Sequence, residues 1–82
     1  MILRTASCIF ATDDLRTLEH YGKEQLITEH NGKTYRISID KTTMAPYYEL
    51  FLEWYEGLRR LHTRLYASSS LDKIVAYINE NL

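Results

Sequence analysis

Cysteine, proline and glycine are scarce in this chain, with one, one and three among 82 residues. A lone Cys8 excludes an internal disulfide, and small secreted domains usually depend on several, so a reducing, cytoplasmic setting is expected. The glycines at 22, 32 and 57 are isolated, which removes the glycine-rich loop that cradles nucleotide phosphates. No apolar run approaches the roughly 20 residues needed to cross a bilayer. The opening MILRTASCIFATDD is interrupted by Arg4 and followed by acids, so it reads as structure rather than as a signal peptide. No membrane partner is expected. An excess of charge of one sign is also missing. Ten Lys and Arg against eleven Asp and Glu leave −1, neither the positive field of a nucleic-acid binder nor enough acid to imitate DNA.

Motifs for chemistry are equally sparse. Cys8, His20, His30 and His62 are the only soft or imidazole ligands, and no two stand at the spacing of a zinc knuckle or an H-E-x-x-H helix. No metal and no cofactor is therefore expected. A cysteine without a local nucleophile signature behaves as a small buried hydrophobe, and Asp13-Asp14 has a structural reason to open a helix, where the dipole favours acids. No catalytic residue is assigned. An enzyme built around His62 is the third-ranked reading, one that full activity in His62→Ala would eliminate.

What the chain does contain is the composition of an ordinary folded domain, 45% hydrophobic and 26% charged, and residues 1–82 are read as one domain without repeats or linkers. The clearest local signal is EQLITEH-NG-KTYRISID. Asn31-Gly32 supplies the two positive φ angles of a type I′ turn between strands at 24–30 and 33–40. Closing that turn pairs His30 with Lys33, Thr28 with Tyr35 and Leu26 with Ile37. Leu26, Tyr35, Ile37 and Ile39 then share a core face, and Gln25, Glu29, Thr34, Arg36, Ser38 and Asp40 share a wet one with Ile27.

Residues 44–67 carry the longest periodic pattern. At 100° per residue, Met44, Tyr47, Phe51, Trp54, Tyr55, Leu58, Leu61 and Leu65 fall on one arc, with acids early and bases late on the other side. Thr43 caps this predicted helix, Pro46 occupies its first turn, and Gly57 is its weak point, costing up to about 1 kcal/mol relative to Ala. His62 falls inside the apolar arc as a core histidine. A second helix at 70–81 follows from the stripe Leu71, Ile74, Val75, Ile78 and Leu82, with Ser69 and Asp72 as a variant capping box. Residues 2–10 suit a strand, and Thr12 to Gly22 suits a short helix. The fold class is therefore α+β, a small antiparallel sheet (hairpin 24–40 plus the N-terminal strand) packed on both helices, in the order β-α-β-β-α-α. The alternative is a four-stranded meander followed by two helices.

Seven tyrosines and one tryptophan form the most informative excess, because these amphipathic side chains are enriched at interface anchors. A helix of about 23 residues would span roughly 35 Å, beyond the ~30 Å diameter expected for this length, so its arc would stay partly uncovered. The expectation is a small non-enzymatic protein-binding module, an inhibitor or adaptor that occludes a partner surface and forms a homodimer. Compact inhibitors of phages and other mobile elements, the anti-CRISPR type among them, share its size and lack of catalytic motifs, an analogy of class only. Its partner-binding residues are expected to be Tyr48, Leu52, Tyr55, Arg59, Arg60, Arg64 and Tyr66. The alternative is a nucleic-acid-associated regulator using Arg59, Arg60 and Arg64, separable by the steep salt dependence of phosphate binding.

Overall fold

A computed structural model describes residues 8–21, 24–40 and 47–82 of the chain. Within them the element order is α1 (Thr12–Tyr21), β1 (Gln25–His30), β2 (Lys33–Asp40), β3 (Tyr47–Glu56), β4 (Arg59–Ser68) and α2 (Leu71–Asn81). The strands form one antiparallel sheet in the order β1-β2-β3-β4, each paired with its chain neighbour. No described helix is long and apolar enough to cross a membrane.

The first hairpin forms as the sequence predicts. Asn31 and Gly32 take φ of 53° and 76°, the two positive values of a type I′ turn, and the register runs His30↔Lys33, Thr28↔Tyr35, Leu26↔Ile37. Leu26, Tyr35 and Ile37 are buried, whereas Ile27 stays 56% exposed on the other face.

The long helix over 44–67 does not form, and this is the principal correction. Residues 47–56 and 59–68 are two ten-residue strands joined at Gly57-Leu58. Gly57 has φ of 65° and Leu58 is not among the positive-φ residues, the arrangement of a type II′ turn, which takes glycine at its first central position. The aromatic and β-branched content of YYELFLEWY and HTRLY suits a pleated surface. The assignments of Met44, Pro46 and the Thr43 cap lie outside the described residues, as does most of the N-terminal strand expected at 2–10. Residues 8–10 of that segment are not strand. Element content thus matches the four-stranded meander with two helices, but in chain order one helix precedes the sheet and one follows it, in place of β-α-β-β-α-α.

Both helices cover the same sheet face, α1 over β1 and α2 over β3 and β4. Leu15 and Leu18 of α1, and Leu71, Ile74, Val75 and Ile78 of α2, meet Leu26, Tyr35, Ile37, Tyr48 and Leu50 in one core. The 3- and 4-residue spacings in α2 place its four buried residues on one stripe. Ala11 O accepts the first helical bond of α1, from Leu15 N–H, so Thr12 begins that helix rather than capping it. Ser70, not Ser69, is the cap residue of α2, and its side chain makes no capping bond; its own N–H donates to Ser68 Oγ at 3.0 Å.

Candidate functional site

The second hairpin is longer than the first, and that difference shapes the surface. β2 begins at Lys33, and its register with β3 ends at Thr34↔Glu53. Beyond it, Trp54, Tyr55 and Glu56 pair only with Leu61, Arg60 and Arg59 of β4. By the same register Lys33 is level with Trp54 and the turn residue Gly32 with Tyr55, so the pair Glu56↔Arg59 and the turn project past the tip of the β1–β2 hairpin, roughly 7 Å at the rise of a strand, in a molecule whose longest extent is 42 Å. Among the described residues no helix covers this arm, and its large side chains are accessible. Trp54 is 40% exposed, Tyr55 69% and Leu58 fully so.

Strand alternation separates these groups by face. Trp54, Leu61 and Arg59 continue the core face beyond the reach of the helices, whereas Tyr55, Arg60 and His62 lie on the open face. Where β2 stops, a notch of about 430 Å³ opens beside β3, lined by Gly32, Lys33, Thr34, Leu52, Glu53, Trp54 and Tyr55.

Next to the arm, the open face carries a cross-strand row of paired charges. The Arg36 guanidinium lies 4.7 Å over the Phe51 ring, and Nε sits 2.6 Å from Glu53 Oε2. That approach is an ion pair without an aligned hydrogen bond, since neither atom has a hydrogen-bond partner. Arg36 Nη1 also donates to Gln25 Oε1 at 3.4 Å. Phe51 meets His62 edge-on at 5.3 Å, and Arg64 Nη1 donates to Glu49 Oε2 at 3.1 Å. Glu53 is 7% exposed and neutralised where it stands.

Several expectations change at this point. His62 is an exposed residue of β4, not a core histidine of a helix. Arg59, Arg60 and Arg64 do not form one patch, because the strand puts Arg59 on one face and Arg60 and Arg64 on the other, and Glu49 holds Arg64. Tyr48, at 3% exposure, belongs to the core, so it drops out of the candidate surface. Leu52 packs partly against that core, and Tyr66 stacks on Tyr77 at 4.7 Å. Tyr55, Arg59 and Arg60 come together on the arm. Trp54 and Leu58 join them there, and the signal that finds them is Gly57 read as a turn; Lys33 of β2 stands across the notch. The overhang once assigned to a helix, and with it the surface that a homodimer was expected to cover, is this hairpin instead.

Among the described residues no group of three or more His, Cys, Asp or Glu is placed to hold a metal ion. Cys8 is half-buried; burial pushes its thiol up from the ordinary range, opposed in part by the Phe10 N–H that donates to Sγ at 3.4 Å. No family model matches the chain, and no curated protein or solved structure matches it.

Proposed function

We propose that this chain is a non-enzymatic protein-binding module, an inhibitor or adaptor that works by covering part of a partner, and that the β3–β4 arm is its contact element. The observation that supports this reading is the arm itself. The only tryptophan of the chain, a tyrosine and a fully exposed leucine stand together on a projection that contributes little to the core. Leaving such side chains exposed to water is unfavourable to solubility and gains nothing for folding, whereas aromatic and arginine side chains of this kind dominate the energetics of protein interfaces.

The test is capture from a lysate of the native host by the immobilised full chain, run beside Trp54→Ala/Leu58→Ser and, as a control on the open face, Ile27→Ser. A protein retained by the wild type and by Ile27→Ser at high salt, and lost with the arm variant, supports the reading. Retention that ignores the arm variant removes the arm from it.

One observation favours a second reading, association with nucleic acid. Lys33, Arg59 and Arg60 have no ion-pair partner among the described residues and stand beside Trp54 and Tyr55, a combination that suits phosphates and stacked bases. Three such contacts to a single strand would give a log–log salt slope of about −2. Contacts made by Trp54 and Leu58 to a protein would not depend on salt in that way.

A further inference from the structure

The notch beside β3 has a feature that its apolar lining alone does not convey, a free strand edge. In a hairpin closed by two residues, the residues flanking the loop form a hydrogen-bonded pair, and pairs then alternate along the ladder. Glu56↔Arg59 closes the second hairpin, so Glu56 and Trp54 direct their backbone N–H and C=O toward β4, and Tyr55 directs both away from it. The first hairpin leads to the same assignment. His30↔Lys33 closes it, Thr34 therefore faces β3, and its partner Glu53, two residues before Tyr55, faces β2. No β2 residue stands opposite Tyr55, because β2 has already turned at Asn31-Gly32. Its donor and acceptor open into the notch, among the lining residues Lys33, Leu52 and Trp54.

The outer edges of the sheet differ from this one. β4 is bulged at Leu65, opposite Leu50 and Phe51 of β3, and carries Arg60, His62 and Arg64, while β1 is only six residues long with Glu29 near its end. Bulges, charges and short edge strands are the usual protections against unwanted pairing. The Tyr55 edge carries no bulge. It is recessed, flanked by exposed aromatic rings, and bordered by cations that nothing in the described structure neutralises. Lys33 lines the notch, and Arg59 and Arg60 stand across the arm, against the single acid Glu56. The other charge in the wall, Glu53, is already paired with Arg36.

We infer that the notch accepts an extended acidic segment of a partner protein. The segment lies in the notch between Gly32 and β3, its backbone bonded to Tyr55, its carboxylates on the core face toward Lys33 and Arg59, and its apolar side chains on the open face against Tyr55. A volume of about 430 Å³ holds a few residues. This inference rests on the protein-binding reading above and names the chemistry of the partner.

The test uses the full ¹⁵N-labelled chain and a blocked hexapeptide alternating glutamate and valine. Its controls are a lysine–valine peptide of the same pattern and a thymidylate oligonucleotide. The expected result is a saturable shift of the Tyr55 amide and of the Trp54 indole with the acidic peptide alone. Binding should weaken at least about tenfold in Lys33→Glu/Arg59→Glu, the loss of roughly 1.4 kcal/mol that one or two charge-assisted contacts represent. Tyr55→Pro removes the outward N–H without touching a β3–β4 ladder bond, and it should abolish the amide-dependent binding while the remaining spectrum stays dispersed. The inference is overturned if the acidic peptide causes no saturable shift at Tyr55, if both peptides act alike, or if only the oligonucleotide binds. Loss of peptide binding with arm-dependent protein capture intact would reject the acidic-strand chemistry and leave the protein-binding reading standing.

Discussion

Glu53 is the one buried charged residue among those described, and it lies on the sheet face that no helix covers. The Arg36 guanidinium, itself 17% exposed, sits against its carboxylate and over Phe51. A shielded pair of this kind adds little net stability, yet removing one partner strands the other. Arg36→Met is therefore expected to destabilise the fold by about 2 kcal/mol and Glu53→Gln by about 1, with the double variant recovering at least about 1 kcal/mol of their sum. Denaturant unfolding of the four proteins measures that coupling, and simple additivity would show that the pair is not coupled. The alternation of the first hairpin already put Arg36 on the wet face. Glu53, 17 residues further along the chain, could not be placed beside it without the pairing of β2 with β3.

Among the elements, the turn at Gly57 separates the two readings of residues 47–68 by the sign of one substitution. In a helix interior, Gly57→Ala would stabilise by up to about 1 kcal/mol. In the observed hairpin, φ is 65°, and although a Cβ would meet nothing within 4 Å, the backbone itself disfavours an L residue. The expected outcome is a loss of about 1–2 kcal/mol, measured by thermal or denaturant unfolding. The helical arc over this segment was real as a pattern, but the bulge explains why the two-residue period was hidden. Leu50 pairs with Tyr66 and Phe51 with Arg64, so Leu65 is an extra residue, and adjacent Leu65 and Tyr66 both pack on the core. In β3, apolar residues occupy both faces, so alternation is masked there as well.

At the scale of the molecule, the chain divides into a packed body and an arm, and stability and recognition should divide with it. Leu50 is fully buried between β3 and the helices, so Leu50→Ala should cost about 2–5 kcal/mol. Leu58, at the tip, is fully exposed, and Leu58→Ser should leave unfolding within about 0.5 kcal/mol of the wild type while weakening whatever the arm binds. Side-by-side unfolding and binding measurements on the two variants check this division. A large stability loss in Leu58→Ser would place the tip in a contact that the monomer fold does not contain.

Local chemistry in the sequence was enough for α1, the first hairpin with its register, and α2, because each is specified by neighbours: two positive-φ residues at a two-residue turn, an acidic first turn, a stripe at 3- and 4-residue spacing. The aromatic excess, read as an interface property, divides in the structure: Tyr35 and Tyr48 are buried in the core, and Trp54 and Tyr55 are exposed on the arm. Only the tertiary structure decided between helix and strand for residues 47–68, because a dense apolar run satisfies both periods and the choice falls to long-range pairing with β2 and to the cover supplied by α2. The arm and its notch arise from the same cause. They exist because β2 is shorter than β3, a mismatch between two strands that no single segment of the sequence contains.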